Sequence, residues 1–140
     1  MAFDDSVKLI WSLTGAGPGT TLTASGNSGG YTPSTPNNRT AVDLRRVDDM
    51  WLSVIGTTSA GTNLQAQVNF YDDQGNLFQL SGVSTPLFAT AALSATGRAV
   101  AFAGRHGAAG GSYLVASEWA QVAWSVTGTW TGVEIALYGR

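Results

Sequence analysis

The sequence has no cysteine and a single histidine, His106. It therefore lacks a disulfide framework and a thiolate nucleophile, and it has neither the cysteines nor the histidine pair that would hold zinc. Charge is scarce as well. Asp, Glu, Lys and Arg make up 11% of the 140 residues, against about 25% in an ordinary globular domain. Nine acidic and seven basic residues leave a net charge of −2, which argues against a binder of phosphate backbones and against nucleic acid as a partner. No run approaches the roughly 18 apolar residues of a membrane span, and no Lys/Arg-rich amphipathic stretch marks a membrane-surface helix. Asp4 and Asp5 stand where an export signal carries basic residues, so a soluble chain made in the cytoplasm without a signal peptide is expected. The triplet Asn38-Arg39-Thr40 matches a glycosylation site, but without a secretory route the match reads as chance.

Against these absences, 44% of the residues are hydrophobic, enough for one domain over 1–140 with a real core. Period-two alternation dominates, broken by Gly, Ser, Thr, Asn and Pro clusters. In Leu64-Gln65-Ala66-Gln67-Val68-Asn69-Phe70 the apolar residues face one way and the amides the other. Asp72-Asp73-Gln74-Gly75-Asn76 predicts a tight hairpin leading into Leu77–Leu80. The runs Met50–Ile55 and Leu64–Tyr71 read as a strand pair, and Glu118–Thr127 with Val133–Tyr138 reads as a closing hairpin around Gly128–Gly132. Ser53-Val54-Ile55-Gly56-Thr57-Thr58 is echoed by Ser125-Val126-Thr127-Gly128-Thr129-Trp130, as if two related hairpins sat in similar places. Residues 15–40, with Tyr31 their one bulky aromatic, read as an irregular loop or arm. Ala89–Ala95 reads as a short helical turn rather than a strand, and Arg98–Ala103 as a strand. About eight strands without helices for parallel crossovers predict an all-β, antiparallel sandwich or jelly-roll-like fold with long Gly/Ser/Thr loops.

Chemistry-bearing constellations are thin. Asp4-Asp5, Asp48-Asp49 and Asp72-Asp73 evoke the carboxylate pair of a glycosidase, but neighbours on an extended chain point oppositely, and Asp at strand ends makes turns and caps. Asp72–Asn76 offers oxygen ligands without the 12-residue loop of a calcium hand. His106 lies in a glycine-rich loop, Gly104–Gly111, with no nucleophile elbow, so it reads as a solvent or interface contact rather than a general base. No catalytic residue, metal or cofactor is expected. Among five tryptophans, Trp124 is in phase with Val122 and Val126 and reads as core, while Trp130 falls in a turn. It is open to three readings: a subunit anchor, a sugar platform, or a side chain folded back over the sandwich edge. Trp130, Tyr31, Arg105 and His106 are thus the candidate interface residues. Arg45, Arg46 and Arg98 are solvated charges or pairs across a subunit boundary.

Val42–Val54, the Gln67–Asn76 hairpin, and Ala120–Thr129 with Val133–Arg140 together resemble small tailed-bacteriophage virion proteins that decorate the capsid. The resemblance spans about Val42 to Arg140 and implies a β-sandwich without catalytic residues. It further implies attachment to the major capsid protein and to copies of itself, often as a homotrimer, on the virion surface. The alternatives are a tail or neck component, or a carbohydrate-binding module that stacks a glycan on Trp130 and on Trp51 or Tyr138.

Overall fold

Among the described residues every regular element is a strand, as the alternation predicts. A computed structural model describes residues 6–15, 19–30, 41–72, 74–76, 90–104 and 118–140. Within them run β1 (Lys8–Ser12), β2 (Thr20–Leu22), β3 (Gly26–Asn27), β4 (Val42–Asp43), β5 (Asp49–Thr57), β6 (Asn63–Phe70), β7 (Ala91–Leu93), β8 (Gly97–Gly104), β9 (Trp119–Thr127) and β10 (Trp130–Gly139). They form two antiparallel sheets. The first has the order β1-β10-β5-β8, with β2 also on β10; the second has the order β3-β9-β6-β7, with β4 also on β9.

Alternation decides what each strand buries. In β6, Leu64, Ala66, Val68 and Phe70 are buried and the residues between them half-exposed. Met50, Leu52 and Val54 of β5 and Val133, Ile135 and Leu137 of β10 enter the same core from the other sheet. A bulge between Leu9 and Trp11 breaks the register of β1 on β10, so that both Ile10 and Trp11 turn to the core. Trp11 then stacks on Trp124 across the gap between the sheets, with centroids 6.2 Å apart. Trp124 thereby packs on the core, in phase with Val122 as its spacing requires.

Several sequence-level expectations are corrected. The two expected hairpins are arches. β5 pairs with β10 and β8 while β6 pairs with β9 and β7, so the chain changes sheet at 58–62 and again at 128–129. Alternation specifies which side chains point inward, not which strand lies alongside, and an arch satisfies it as well as a hairpin does. The echoed segments do lie at one end of the molecule, in arches bonded to each other: Thr62 N donates to Thr127 O (3.2 Å) and Thr58 Oγ1 to Thr129 O (2.9 Å). The stretch 15–40 is not wholly irregular, since β2 and β3 lie in it, one on each sheet. Ala91–Leu93 is extended, which decides against the helical turn. The expected return strand Leu77–Leu80 and the loop beyond Gly104 lie outside the described residues.

Trp130 is the largest correction. It is 0% exposed, so the subunit-anchor and sugar-platform readings both fail and the folded-back reading stands. The indole lies in a slot left by two missing side chains. A Cβ on Gly56 would meet Trp130 Cε3 and Leu64 Cδ2, each at 2.9 Å, and a Cβ on Gly61 would run into the indole nitrogen. That nitrogen donates to Thr127 O at 3.3 Å, which satisfies the one polar atom the burial would otherwise strand. Trp130→Ala is expected to lower the unfolding free energy by about 3–5 kcal/mol, and Gly56→Ala or Gly61→Ala by about 1–3 kcal/mol through overpacking. Gly97→Ala, whose Cβ meets nothing nearer than 3.9 Å, should stay within about 0.5 kcal/mol. Denaturant titration followed by tryptophan fluorescence measures all four.

Candidate functional site

The two sheets differ in what they turn outward. On the second sheet the outward residues of β6 and β9 are Gln65, Gln67, Asn69, Gln121, Ala123 and Ser125, in register across the pair. Amides bond along this face: Gln67 Nε2 donates to Asn69 Oδ1 (3.0 Å), and Asn69 Nδ2 to Gln121 Oε1 (3.3 Å). These groups solvate the surface that so few charges leave uncovered.

The first sheet turns out apolar and aromatic side chains. Register places Leu9 beside Tyr138, Tyr138 beside Trp51 and Trp51 beside Phe102, one row across β1, β10, β5 and β8. The next row is Ala136, Ser53 and Val100, and the third is Glu134, Ile55 and Arg98. Among the described residues the exposed large hydrophobics are Val100 (53%), Val7 (51%), Leu9 (42%) and Ile55 (40%). Three of them stand in these rows, and Val7 precedes β1 by one residue. Trp51 and Phe102 pack with centroids 5.3 Å apart. The Arg140 guanidinium lies 5.5 Å from the Trp51 ring while its Nε donates to Asp49 Oδ2 at 3.1 Å. An open groove of about 320 Å³ runs between Val7, Trp51, Ser53, Arg98, Val100 and Tyr138. Arg98 lines it, with Nε donating to Ser53 Oγ at 3.1 Å. At the third row, Glu134 Oε2 accepts from Thr14 Oγ1, and Glu134 Oε1 is buried with no donor among the described residues. Such a face can bury apolar area against another surface; it brings together no nucleophile and base.

Of the interface residues expected from sequence, Trp130 is internal, and Tyr31, Arg105 and His106 lie outside the described residues. So do Asp4, Asp5 and Asp73 of the acidic pairs. Asp72 is a turn cap: its Oδ1 accepts from the backbone N–H of Gln74 (2.9 Å) and Asn76 (2.8 Å), and its Oδ2 from the Asn76 amide (3.3 Å). These bonds, that from Asn76 N–H first, hold its carboxyl below the usual aspartate range. Both oxygens are thus engaged in closing the loop, rather than turned toward a cation. Among the described residues no three His, Asp or Glu cluster as metal ligands, and no helix is long and apolar enough to cross a membrane. Arg45 pairs within the chain, with Nε and Nη2 on the two oxygens of Asp43 at 3.0 and 2.7 Å, and lies 5.1 Å from the Trp119 ring.

The aromatic row was missed because each strand was read for a single buried face. Its signal lies in Met50–Ile55, where Trp51 and Ile55 put large apolar residues in the second alternating set as well, and in Val100 and Phe102. Comparison with known protein families, with characterised proteins and with solved structures found no match.

The bond from Arg45, together with its charge, holds the Asp43 carboxyl below the usual aspartate range. A titration followed by side-chain carboxyl NMR should place its midpoint below that of an unpaired aspartate, and Arg45→Ala should raise it. A folded-state value below the unfolded one stabilises at neutral pH, and that stabilisation is lost as pH falls through the folded midpoint. With both side chains about half exposed, the loss in the melting curve should be small.

Proposed function

We propose that the chain is a non-enzymatic structural protein of a bacteriophage virion, a capsid decoration or cement subunit. It would lie on the capsid surface in contact with the major capsid protein and with copies of itself. The observation that carries this reading is the outward apolar face of the first sheet, in a chain whose charge is too low to repel close neighbours. Topology supports it. With β1 and β2 taken as one interrupted strand and β3 and β4 as another, eight strands remain, four to a sheet. Of the connections between them, β6 to β7 alone stays within its sheet. We read that arrangement as jelly-roll-like, a type that recurs in viral capsid and lectin domains. The fold admits both uses, so the face has to decide between them.

Sugar stacking is the second reading, favoured by Trp51 and Tyr138 lying side by side at the groove. Against it, Arg140 already lies over the Trp51 ring and Phe102 packs on it, which leaves less open ring for a pyranose. A protein contact needs only the apolar relief. A subunit that binds the assembled shell and not its free parts stabilises the shell by mass action.

In virions of the phage that encodes it, the chain should be present in copy numbers comparable to the major capsid protein, as measured by quantitative mass spectrometry of purified particles. Particles grown without it should release DNA at lower temperature. Absence from purified particles would overturn the proposal, and so would unchanged heat release.

A further inference from the structure

We propose that the free edge of β8 pairs antiparallel with β8 of a second copy of this chain, about a two-fold axis that lies between the two Ala101 residues and perpendicular to the sheet. The inference goes beyond the structural-subunit reading and does not rest on it. A strand at the edge of a sheet presents unpaired N–H and C=O groups that template another strand, unless the edge is short, bulged or guarded by charge. Three of the four edges of this sandwich are blunted in those ways. On the second sheet β3 and β4 are two residues long each, and β7 is three. On the first, β1 is broken by its bulge, and β2 meets β10 across an irregularity between Trp130 and Val133. β8 is the exception. Its eight residues, Gly97–Gly104, lie in unbroken register on β5, and among the described residues no strand pairs with its other side. It contains no proline or lysine, and its one charged side chain, Arg98, is bonded back to Ser53 of β5.

The side chains of β8 itself decide what fits this edge. Residues opposite one another in an antiparallel pair share a face, so a copy of β8 can sit only where outward positions meet outward positions. Turning about Ala101 sets Val100 opposite the copy's Phe102, and Phe102 opposite the copy's Val100. No other two-fold register gives both of these outward residues an apolar partner. Turning about Val100 sets Phe102 against Arg98, turning about Ala99 sets Val100 against Arg98, and turning about Phe102 leaves Val100 against Gly104. Turning about Arg98 would bring like charges face to face. Val100, at 53%, is the most exposed large hydrophobic among the described residues, and a β-branched residue opposite an aromatic one is a stabilising pair across strands. Phe102 already packs on Trp51 of β5, so the joint carries the aromatic row on into the copy. The two Arg98 residues then stand six residues apart along the joint, about 20 Å, where salt screens them from each other.

Sedimentation equilibrium of the purified chain, from micromolar to millimolar concentration, tests the inference. A monomer–dimer equilibrium is expected, with amide hydrogen exchange in β8 slowing as concentration rises. Val100→Glu should weaken association about tenfold, because it removes both apolar pairs and sets two carboxylates diagonally across the axis, about 7–8 Å apart. Val100→Lys should weaken it too, and an equimolar mixture of the two variants should associate more tightly than either alone. Ile55→Glu puts the same charge on the outward face of β5, away from the edge, and should dimerise as the parent does. Both positions are solvent-exposed, so the variants should melt close to the parent. A chain that stays monomeric at millimolar concentration overturns the inference. Association that ignores Val100→Glu, that is lost with Ile55→Glu, or that closes as a trimer overturns it too. All of these outcomes are read on the free chain, whereas the virion reading stands or falls on the composition of particles.

Discussion

The fold closes on one side chain. Three passages between the sheets, at 58–62, 94–96 and 128–129, gather at one end of the molecule, where Thr96 Oγ1 accepts from Thr58 N (3.0 Å) and donates to Thr58 O (3.2 Å). Trp130 fills the space these passages enclose. A sandwich end is ordinarily its leakiest part, because arches expose backbone and carry few large residues. Here a bicyclic ring with one satisfied donor occupies it. The strands adjoining the arches can then stay apolar up to their last inward residues, Val54 and Val133. The whole arrangement depends on Gly56 and Gly61 having no side chain, so a ring and two absences act as one unit.

With the end closed from within, the exposed large hydrophobics among the described residues lie on the first sheet or, as Val7 does, next to it. The second sheet turns out amides instead, and Gln67, Asn69 and Gln121 bond to one another along it. The first sheet has the same exposure and opposite chemistry, Leu9, Trp51, Ile55, Val100, Phe102 and Tyr138 with a few charges at set positions. Hydrogen bonding between the strands is equal on both sides. The difference is therefore not needed to make a sheet; it concerns what meets the sheet from outside.

Much of the architecture was legible in the alternation. Leu64, Ala66, Val68 and Phe70 face inward as read, and so do Val122 and Ile135. Partner choice was not legible, because Met50–Ile55 beside β6 or beside β10 gives the same inward pattern. Local sequence describes a strand's two faces, whereas pairing is decided by the loop-closure and packing balance of the whole chain. Trp130 was misread for a related reason. Its neighbours Gly128, Thr129 and Gly132 look like a turn, and the slot that buries it is built by Gly56 and Gly61, about 70 residues earlier. The site was half-written in the sequence. The doubled apolar pattern of β5 was visible, but the row it forms with Tyr138 and Phe102 exists only once β10 and β8 flank it.

The position of β10 also orders events in time. It follows every other described strand in the sequence, yet it lies inside the first sheet, with β1 and β2 on one side and β5 on the other. Until it docks, β5 has an open edge and Trp130 is missing from its slot. Pairings as remote as Lys8 with Gly139 place the fold among slow, high-contact-order topologies. A nascent chain with an unpaired apolar β5 is the species a cell would have to shield, and its lifetime is governed by how quickly the final ten residues of β10 find their place.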